Sequence, residues 1–344
     1  MTDYPDNKEV ILKVENLKKY FPVRKGLLKR IIGYVHAVDD VSFELKRGQT
    51  LGIVGESGCG KTTLMQTLLM LEKPNDGRVF IENDNGRLVE MTAMTHKEQR
   101  EIRRNIQMIF QNPFSSMNPA MSIFDIIAEP LRIQKVCPNE KLEEIVAALL
   151  RDVSLDFSYV RRYPTALSGG QRQRICIARA LSLKPKIAIA DEPVSAVDVS
   201  VQSQILNLLN DLKKRFGLSY LFVAHDINVV KYISDRIMTM YMGSIVETAD
   251  TRDIYYYPAH PYTRCLIDAI PITHPKQRKG RQHIQGELLD PRADIKGCAF
   301  TPRCPYAEAI CSREKPELKP IGSERFSACH FGSDMIDRMR NCGL

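Results

Sequence analysis

Long apolar runs are absent from this sequence, and no segment approaches the ~20 consecutive apolar residues that a membrane-spanning helix requires. The first ten residues are polar and acidic, without the charged-then-apolar pattern of a secretory signal. Both absences lead us to expect a protein that is made and kept in the cytosol, with docking on a membrane surface left open.

Internal repeats and closely spaced cysteine pairs are also lacking. The nine cysteines of the 344-residue chain, in an expected cytosolic protein, argue against a disulfide framework and favour metal ligands or incidental thiols. The net charge of +8 favours anionic partners such as nucleotide phosphates, lipid headgroups or RNA without choosing among them.

Apolar segments alternate with helical segments along most of the chain. Strands are predicted at 10–14, 37–45, 50–54, 106–110, 187–190, 220–224 and 237–241, and helices at 62–71, 140–153 and 171–183. The basic stretch 24–30 is predicted to be an exposed loop or a short helix. This alternation indicates a largely parallel α/β sheet covered on both faces, and the chain between 106 and 187 is long enough for a separate helical subdomain.

Composition changes after residue 257, where prolines and then a basic patch precede a cluster of four cysteines. We therefore predict two domains, at 1–257 and 258–344, with the helical subdomain at about 112–180.

A phosphate-binding motif follows the strand at 50–54. The residues GESGCGKTT (55–63) satisfy G-x-x-x-x-G-K-[ST], in which glycines turn backbone N–H groups toward phosphates at a helix N-terminus. Lys61 is predicted to reach the β- and γ-phosphates, and the Thr62 hydroxyl is predicted to bind Mg²⁺.

Two carboxylates end the strand at 187–190. Asp191 is predicted to bind Mg²⁺, and Glu192 to act as a general base or to orient the attacking water.

The string LSGGQRQ (167–173) places an N-cap, Ser168, and two glycines before a helix. This is a second anion-binding helix N-terminus, more than a hundred residues from the first. One chain cannot easily fold both onto a single phosphate, whereas two chains arranged head to tail can.

LSGGQ between these two motifs resembles the signature of ATP-binding-cassette (ABC) ATPases, and the resemblance covers about residues 8–257. Gln111 is similar to the family's Q-loop glutamine, Asp198 belongs to a D-loop-like SAVD string, and His225 resembles the switch histidine. Val197 stands where leucine is commoner in the family. Phe21 matches the adenine-stacking position, with Tyr20 and Tyr34 as competitors.

The resemblance implies a P-loop NTPase fold of ABC type: a RecA-like mixed sheet, an N-terminal antiparallel β subdomain and an inserted helical subdomain, here followed by a small cysteine-containing extension. It implies hydrolysis of MgATP in a sandwich dimer. The implied catalytic residues are Glu192, His225 and Gln111. The implied nucleotide-binding residues are Phe21, Gly55, Ser57, Gly58, Cys59, Gly60, Lys61, Thr62, Thr63, Gln111, Ser168, Gly169, Gly170, Gln171, Asp191 and Asp198. The implied Mg²⁺ ligands are Thr62, Gln111 and Asp191.

Further strings are similar to the oligopeptide/dipeptide importer branch of this family: 110–119, Tyr163-Pro164 and HPYT (260–263). The loop 26–28 and the string 195–209 resemble its F-type ATPase subunit. The implied partners are two membrane permease subunits, which dock on Gln111 and 112–122, a second related ATPase and, indirectly, an external peptide-binding protein. The implied location is the cytoplasmic side of the cell membrane. Nickel, glutathione and antimicrobial peptides are alternative substrates within the branch.

The four clustered cysteines have the spacing C-x5-C-x6-C-x17-C, which matches no tight zinc pair and no ferredoxin run. Metal ligation and structural thiols both remain open on physical grounds. The string GCAFTPRCP (297–305) resembles the C-terminal region of oligopeptide-importer ATPases, some of which carry a [4Fe–4S] cluster. That resemblance implies Cys298, Cys304, Cys311 and Cys329 as cluster ligands, with Zn²⁺ as second choice. His330 lies next to Cys329 in the sequence and is predicted either to substitute for a ligand or to support the ligands from outside the metal's coordination.

The rival interpretation is an ABC ATPase that moves no solute and acts in translation or ribosome recycling. Such proteins usually carry two cassettes, and this chain has one. We therefore predict no nucleic-acid partner.

Overall fold

The computed structural model describes residues 9–26, 30–269 and 295–341, which form parts of two compact units. Unit 1 takes its residues from Met1–Lys13, Glu44–Thr50 and Phe80–Val223. Unit 2 takes its residues from Val14–Phe43, Leu51–Val79 and Ala224–Leu344.

The strands within the described ranges are β1 Val10–Lys25, β2 Arg30–Lys46, β3 Thr50–Val54, β4 Asp76–Glu82, β5 Leu88–Glu90, β6 Ile106–Ile109, β7 Ile187–Asp191, β8 Ser219–Val223, β9 Arg236–Tyr241, β10 Ser244–Asp250, β11 Lys319–Gly322 and β12 Arg325–Ser327. The α-helices there are α1 Lys61–Leu68, α2 His96–Ile102, α3 Ile123–Ile133, α4 Leu142–Asp152, α5 Gly169–Leu181, α6 Val199–Phe216, α7 Ile227–Ile233, α8 Thr251–Tyr256, α9 Pro261–Asp268, α10 Ala309–Arg313 and α11 Gly332–Asn341.

Unit 1 contains the parallel strands β8, β7 and β6, in that order. Ile109 of β6 pairs with Ala190 of β7, and Asp191 pairs with Val223 of β8. Every residue of β7 and β8 is buried, as expected for parallel strands covered on both faces. Because the strands are parallel and in register, the residues that follow β6 and β7 lie at one edge of the sheet.

The helices α3, α4 and α5 of unit 1 pack against one another. They confirm the helical region predicted between the strands at 106 and 187. The apolar faces of α3 and α4 are buried, including Ile126, Leu131, Val146 and Leu150.

Unit 2 contains the strand order β11-β12-β10-β9-β3. β3 pairs with β9 in parallel, whereas β9 with β10, β10 with β12, and β12 with β11 are antiparallel. The sheet in this unit is therefore mixed, as the ABC-type fold class predicts.

A further four-stranded sheet has the order β2-β1-β4-β5. Its strands β1 and β2 are far longer than the predicted segments 10–14 and 37–45. The prediction of a loop or short helix at 24–30 is wrong at both ends of that stretch, which belong to these strands. Arg24 and Lys25 lie in β1 and Arg30 begins β2. Residues 27–29 lie outside the described residues, and they include Leu27 and Leu28 of the loop 26–28 that resembles the F-type subunit. Many side chains in these added portions are half-buried or exposed, so their sequence lacks the clean alternation that reveals a strand.

The C-terminal residues of unit 2 share a hydrophobic core with β9 and β10. Tyr241 and Val246 pack with Tyr262, Cys265 and Phe300, all of them buried. The domain boundary at residue 258 stays a prediction, and the proline-rich and basic residues 270–294 predicted to follow it lie outside the described residues. No helix within the described ranges has both the length and the apolar character needed to cross a membrane.

Candidate functional site

The glycine loop 55–63 of unit 2 connects β3 to α1. Gly60 caps α1 with φ 104°, a left-handed conformation that side chains disfavour. A Cβ atom there would lie 1.9 Å from the carbonyl oxygen of Ala37, so only glycine fits. The loop is therefore held close to β2 at the point where the helix begins.

Lys61 is buried inside this loop. Its Nζ donates hydrogen bonds to the carbonyl oxygens of Gly55 at 2.7 Å and Glu56 at 3.0 Å. Thr62 and Thr63 follow in the first turn of α1. The ammonium group thus lies among the loop's own carbonyl oxygens.

Cys59 is a buried thiol of the same loop. Burial raises the pKa of this thiol, and this effect is larger than the lowering by the neighbouring Lys61 charge. The thiol is therefore neutral. Its backbone carbonyl accepts a hydrogen bond from Gly243 N–H at 2.9 Å. This residue packs and anchors the loop.

Two residues that the sequence did not predict also hold the loop. Arg303 forms a bidentate ion pair with the Glu56 carboxylate, and the Tyr262 hydroxyl accepts a hydrogen bond from Glu56 N–H. Each lies more than 200 residues along the chain from Glu56, and we find no local signal that would have predicted either contact.

In unit 1, Gln111 and Glu192 lie in direct contact. The Gln111 Nε2 donates to the Glu192 Oε2 at 2.7 Å. Asp191, the last residue of β7, is buried, and Glu192 has φ 45°, which places it in the left-handed region. The sequence predicted all three residues for one site, and the parallel register of β6 and β7 explains how Gln111 and Glu192 meet.

The helix α5 begins with a capping box. The Ser168 Oγ accepts from Gln171 N–H at 3.3 Å, and the Gln171 side chain accepts from Ser168 N–H at 3.0 Å. The Gln171 Nε2 also donates to the Tyr159 hydroxyl at 3.0 Å. These bonds fix the first turn, which contains Gly169 and Gly170.

The SAVD string lies beside this turn. A Cβ atom on Gly170 would lie 2.5 Å from Cγ1 of Val201 in α6, and one on Gly169 would lie 3.7 Å from the Ala196 carbonyl oxygen. Asp198 is the N-cap residue of α6. The predicted signature and D-loop residues are therefore neighbours in unit 1.

Arg179, two turns further along α5, ties this helix to the segment after Gln111. Its Nη1 donates to the Ser116 carbonyl oxygen at 2.8 Å, and its Nη2 donates to Glu129 of α3 at 2.8 Å. The Arg172 guanidinium lies 5.2 Å from the ring centroid of Phe114. Residues 112–122 are thus attached to α5 at several points.

His225 is exposed and belongs to unit 2, at the end that follows β8. Asp226 caps the next helix, accepting from Asn228 N–H at 2.8 Å. The predicted nucleotide-site residues thus belong to both units: the glycine loop, Phe21 and His225 to unit 2, and the others to unit 1.

The three candidate adenine-stacking aromatics have different surroundings in unit 2. Tyr20 stacks on His36 with ring centroids 4.2 Å apart, and its hydroxyl donates to Asp39 at 2.6 Å. The Lys19 ammonium lies 4.8 Å from the Phe21 ring, and Tyr34 is 45% exposed. The assignment to Phe21 stays a prediction.

The four clustered cysteines line a single pocket that is partly open to solvent, together with His330. Burial raises the pKa of Cys304 to about 12 and that of Cys329 to about 11, and neighbouring thiols contribute. These thiols are therefore protonated when no cation is bound. Within the described ranges, no three His, Cys, Asp or Glu side chains form a group that is able to hold a metal ion, so the structure does not support the predicted iron–sulfur site.

Comparisons with known proteins agree with the fold and the motifs. A family model described as "ABC transporter" matches residues 38–195. Among solved structures, the ATP-binding cassette MJ0796 in a dimeric post-hydrolysis state bound to ADP and Pi is similar, with a TM-score of 0.61 and 29% identity over 70% of this chain and 99% of that chain. Fold and motifs together define an ABC-type ATPase.

The likeness extends to a narrower group. A model described as "Oligopeptide/dipeptide transporter, C-terminal region" matches residues 246–311. The oligopeptide transport ATP-binding protein AppF of Bacillus subtilis is 46% identical over 95% of this chain and 99% of that protein. The di/tripeptide transport ATP-binding protein DppF of Pseudomonas aeruginosa is 42% identical over 95% and 99%. The chain therefore belongs to the ATP-binding subunits of the oligopeptide/dipeptide ABC transporter family.

Proposed function

We propose that this protein hydrolyses ATP to power the import of di- and oligopeptides through a membrane permease. The observation that carries the proposal is the similarity to peptide-transport ATP-binding proteins, which runs through the cassette and the C-terminal region alike. The relatives described above are transport proteins and give no support to a role in translation.

Within this proposal, the glycine loop and Lys61 bind the ATP phosphates, and Phe21 stacks on the adenine. Thr62, Asp191 and Gln111 would hold Mg²⁺, which would neutralise charge on the phosphates. Glu192 takes a proton from the attacking water, with Gln111 orienting its carboxylate, and His225 contacts the γ-phosphate. The hydrogen bond between Gln111 and Glu192 supports a joint role for these two side chains.

The remaining nucleotide contacts come from a second cassette. Ser168, Gly169, Gly170 and Gln171 of this chain face the partner's ATP, and Asp198 lies at the dimer interface. The partner is a second, related ATPase, and the pair binds two permease subunits as a peripheral assembly on the inner face of the cell membrane. A peptide-binding protein outside the membrane supplies the substrate.

This proposal predicts what co-purifies with the protein. Gentle detergent extraction from native membranes, followed by purification through this chain and mass spectrometry, is expected to recover two membrane-spanning permease subunits and a second related ATPase. A co-purified binding protein would then identify the substrate class, separating peptides from nickel or glutathione. Recovery of ribosomal proteins or RNA without any membrane subunit would contradict the proposal.

We also propose that the four-cysteine pocket binds a [4Fe–4S] cluster as a structural element of the C-terminal region. The convergence of Cys298, Cys304, Cys311 and Cys329 on one pocket supports this proposal. Cys₄ ligation suits such a cluster, and binding requires the thiols to lose their protons. Because the four thiols do not form a metal-holding group as they lie in the described part of the chain, binding would require them to move closer together.

Anaerobic purification tests this second proposal. The protein is expected to contain iron and acid-labile sulfide and to show the visible absorbance of an iron–sulfur cluster, all lost in Cys304→Ser. Cys137→Ser is the matched control, because Cys137 is a free thiol that is not among the residues lining the pocket. Zinc in place of iron, or no metal in the anaerobic preparation, would overturn the cluster assignment.

A further inference from the structure

Glu56, the second residue of the glycine loop, has partners for each of its polar groups. Its N–H donates to the Tyr262 hydroxyl at 2.8 Å. Its carbonyl oxygen accepts from the Lys61 Nζ at 3.0 Å and from Cys59 N–H at 3.3 Å. Its carboxylate accepts one hydrogen bond from each terminal nitrogen of Arg303, both at 2.9 Å. The loop is thus fixed at its first turn by residues from the C-terminal part of the chain.

Arg303 is itself held in place by an aromatic cluster. Its guanidinium lies 5.9 Å from the ring centroids of both Tyr241 and Phe300, and its Nη1 also donates to the Tyr241 hydroxyl at 3.3 Å. Phe300 is buried, with its ring centroid 5.5 Å from that of Tyr262. The Arg303 side chain is only 8% exposed, so its orientation is set before any nucleotide binds.

The turn that carries Arg303 is fixed at its base. Cys298 N–H donates to the Cys311 carbonyl oxygen at 2.7 Å, and the Thr301 hydroxyl donates to the same oxygen at 3.0 Å. A Cβ atom on Gly297 would lie 2.3 Å from that oxygen, so the two segments touch closely. The guanidinium is therefore presented to Glu56 by a rigid support.

A carboxylate in a phosphate-binding loop needs neutralisation. ATP brings several negative charges to the loop, and an unpaired Glu56 would repel them. A planar guanidinium matches a carboxylate with two parallel hydrogen bonds, which cancel the charge and fix its position. The pair is partly buried, with side-chain exposures of 8% for Arg303 and 23% for Glu56, so salt screens it less than a surface ion pair.

We infer that Arg303 is a positioning residue for ATP binding: it neutralises Glu56 and holds the glycine loop in the conformation that receives the phosphates. The C-terminal region is thereby part of the nucleotide site's support. This inference rests on the proposed ATP-driven function of the chain.

The test is equilibrium binding of MgATP, and the KM and kcat of ATP hydrolysis, for the full-length protein and its variants. Arg303→Gln is expected to weaken MgATP binding by about tenfold or more and to raise KM, with kcat affected much less. Arg303→Lys keeps the charge but not the bidentate geometry. Its affinity for MgATP is expected to lie between those of the unmodified protein and Arg303→Gln.

The double variant Glu56→Gln/Arg303→Gln distinguishes charge neutralisation from simple packing. Because it removes the unpaired carboxylate, it is expected to recover most of the affinity lost in Arg303→Gln. If the double variant bound MgATP as weakly as Arg303→Gln, the inference would be overturned. Thermal melting of each variant identifies any that fail to fold, and the rescue remains decisive because it compares two variants that share the same Arg303 truncation.

Arg313→Gln is the matched control, because Arg313 lies in the same region but is exposed on α10. It is expected to bind MgATP like the unmodified protein. Failure of the unmodified protein to bind MgATP would refute the proposed function, whereas normal binding by both the unmodified protein and Arg303→Gln would refute this inference alone.

Discussion

Replacing Glu192 by Gln is expected to slow ATP hydrolysis by about 100- to 10,000-fold while ATP binding is retained. The Glu192 carboxylate accepts a hydrogen bond from Gln111 at 2.7 Å. Glutamine has nearly the same shape and keeps an oxygen that accepts this bond, but it does not take a proton from water. The substitution therefore removes proton transfer and leaves the positioning intact.

Phosphate release measures the loss of turnover, and size-exclusion chromatography with ATP and the partner ATPase measures accumulation of a closed, ATP-bound dimer. Glu144→Gln, an exposed carboxylate on α4, is the matched control and is expected to hydrolyse ATP normally. Near-normal turnover in Glu192→Gln would show that another group activates the water.

Replacing Lys61 by Ala is expected to weaken MgATP binding itself, by about 10- to 100-fold. The Lys61 ammonium lies among loop carbonyls, at 2.7 Å from Gly55 O and 3.0 Å from Glu56 O. It is therefore already within the loop when phosphates arrive, and its removal leaves their charge less well compensated. The carbonyls that it binds in the free protein also lose a donor.

Equilibrium binding of MgATP and of MgADP checks this result. The loss is expected to be larger for MgATP, because Lys61 is assigned to both the β- and the γ-phosphate. Lys141→Ala, an exposed lysine near the start of α4, serves as the control. Equal affinities of Lys61→Ala and the unmodified protein would contradict the assignment of the glycine loop as the phosphate site.

Local sequence patterns predicted those parts of the molecule that depend on local structure. The glycine loop, the buried strand before Glu192 and the N-cap at Ser168 each occupy a few consecutive residues, and the structure forms each of them as a local unit. The reciprocal bond from Gln171, which completes a capping box, was not predicted. The contact between Gln111 and Glu192 could also have been predicted from the sequence, since parallel strands bring their carboxyl ends to one edge of a sheet.

Contacts set by distant packing were not predictable in the same way. The pairing of Glu56 with Arg303 spans 247 residues and depends on how Phe300 packs with Tyr241 and Tyr262. The full lengths of β1 and β2 were missed for a related reason. Their polar portions form strands as members of a sheet, which depends on neighbouring strands rather than on their own alternation.

The attachment of residues 112–122 to α5 has a mechanical consequence. Arg179 donates hydrogen bonds of 2.8 Å to the Ser116 carbonyl oxygen and to Glu129, and the Arg172 guanidinium packs on the Phe114 ring. Because these contacts attach the segment to α5, a displacement of the segment is expected to displace the helix as well. That helix carries Gly169 and Gly170 in its first turn, so a movement at Phe114 is expected to reach the Ser168 cap.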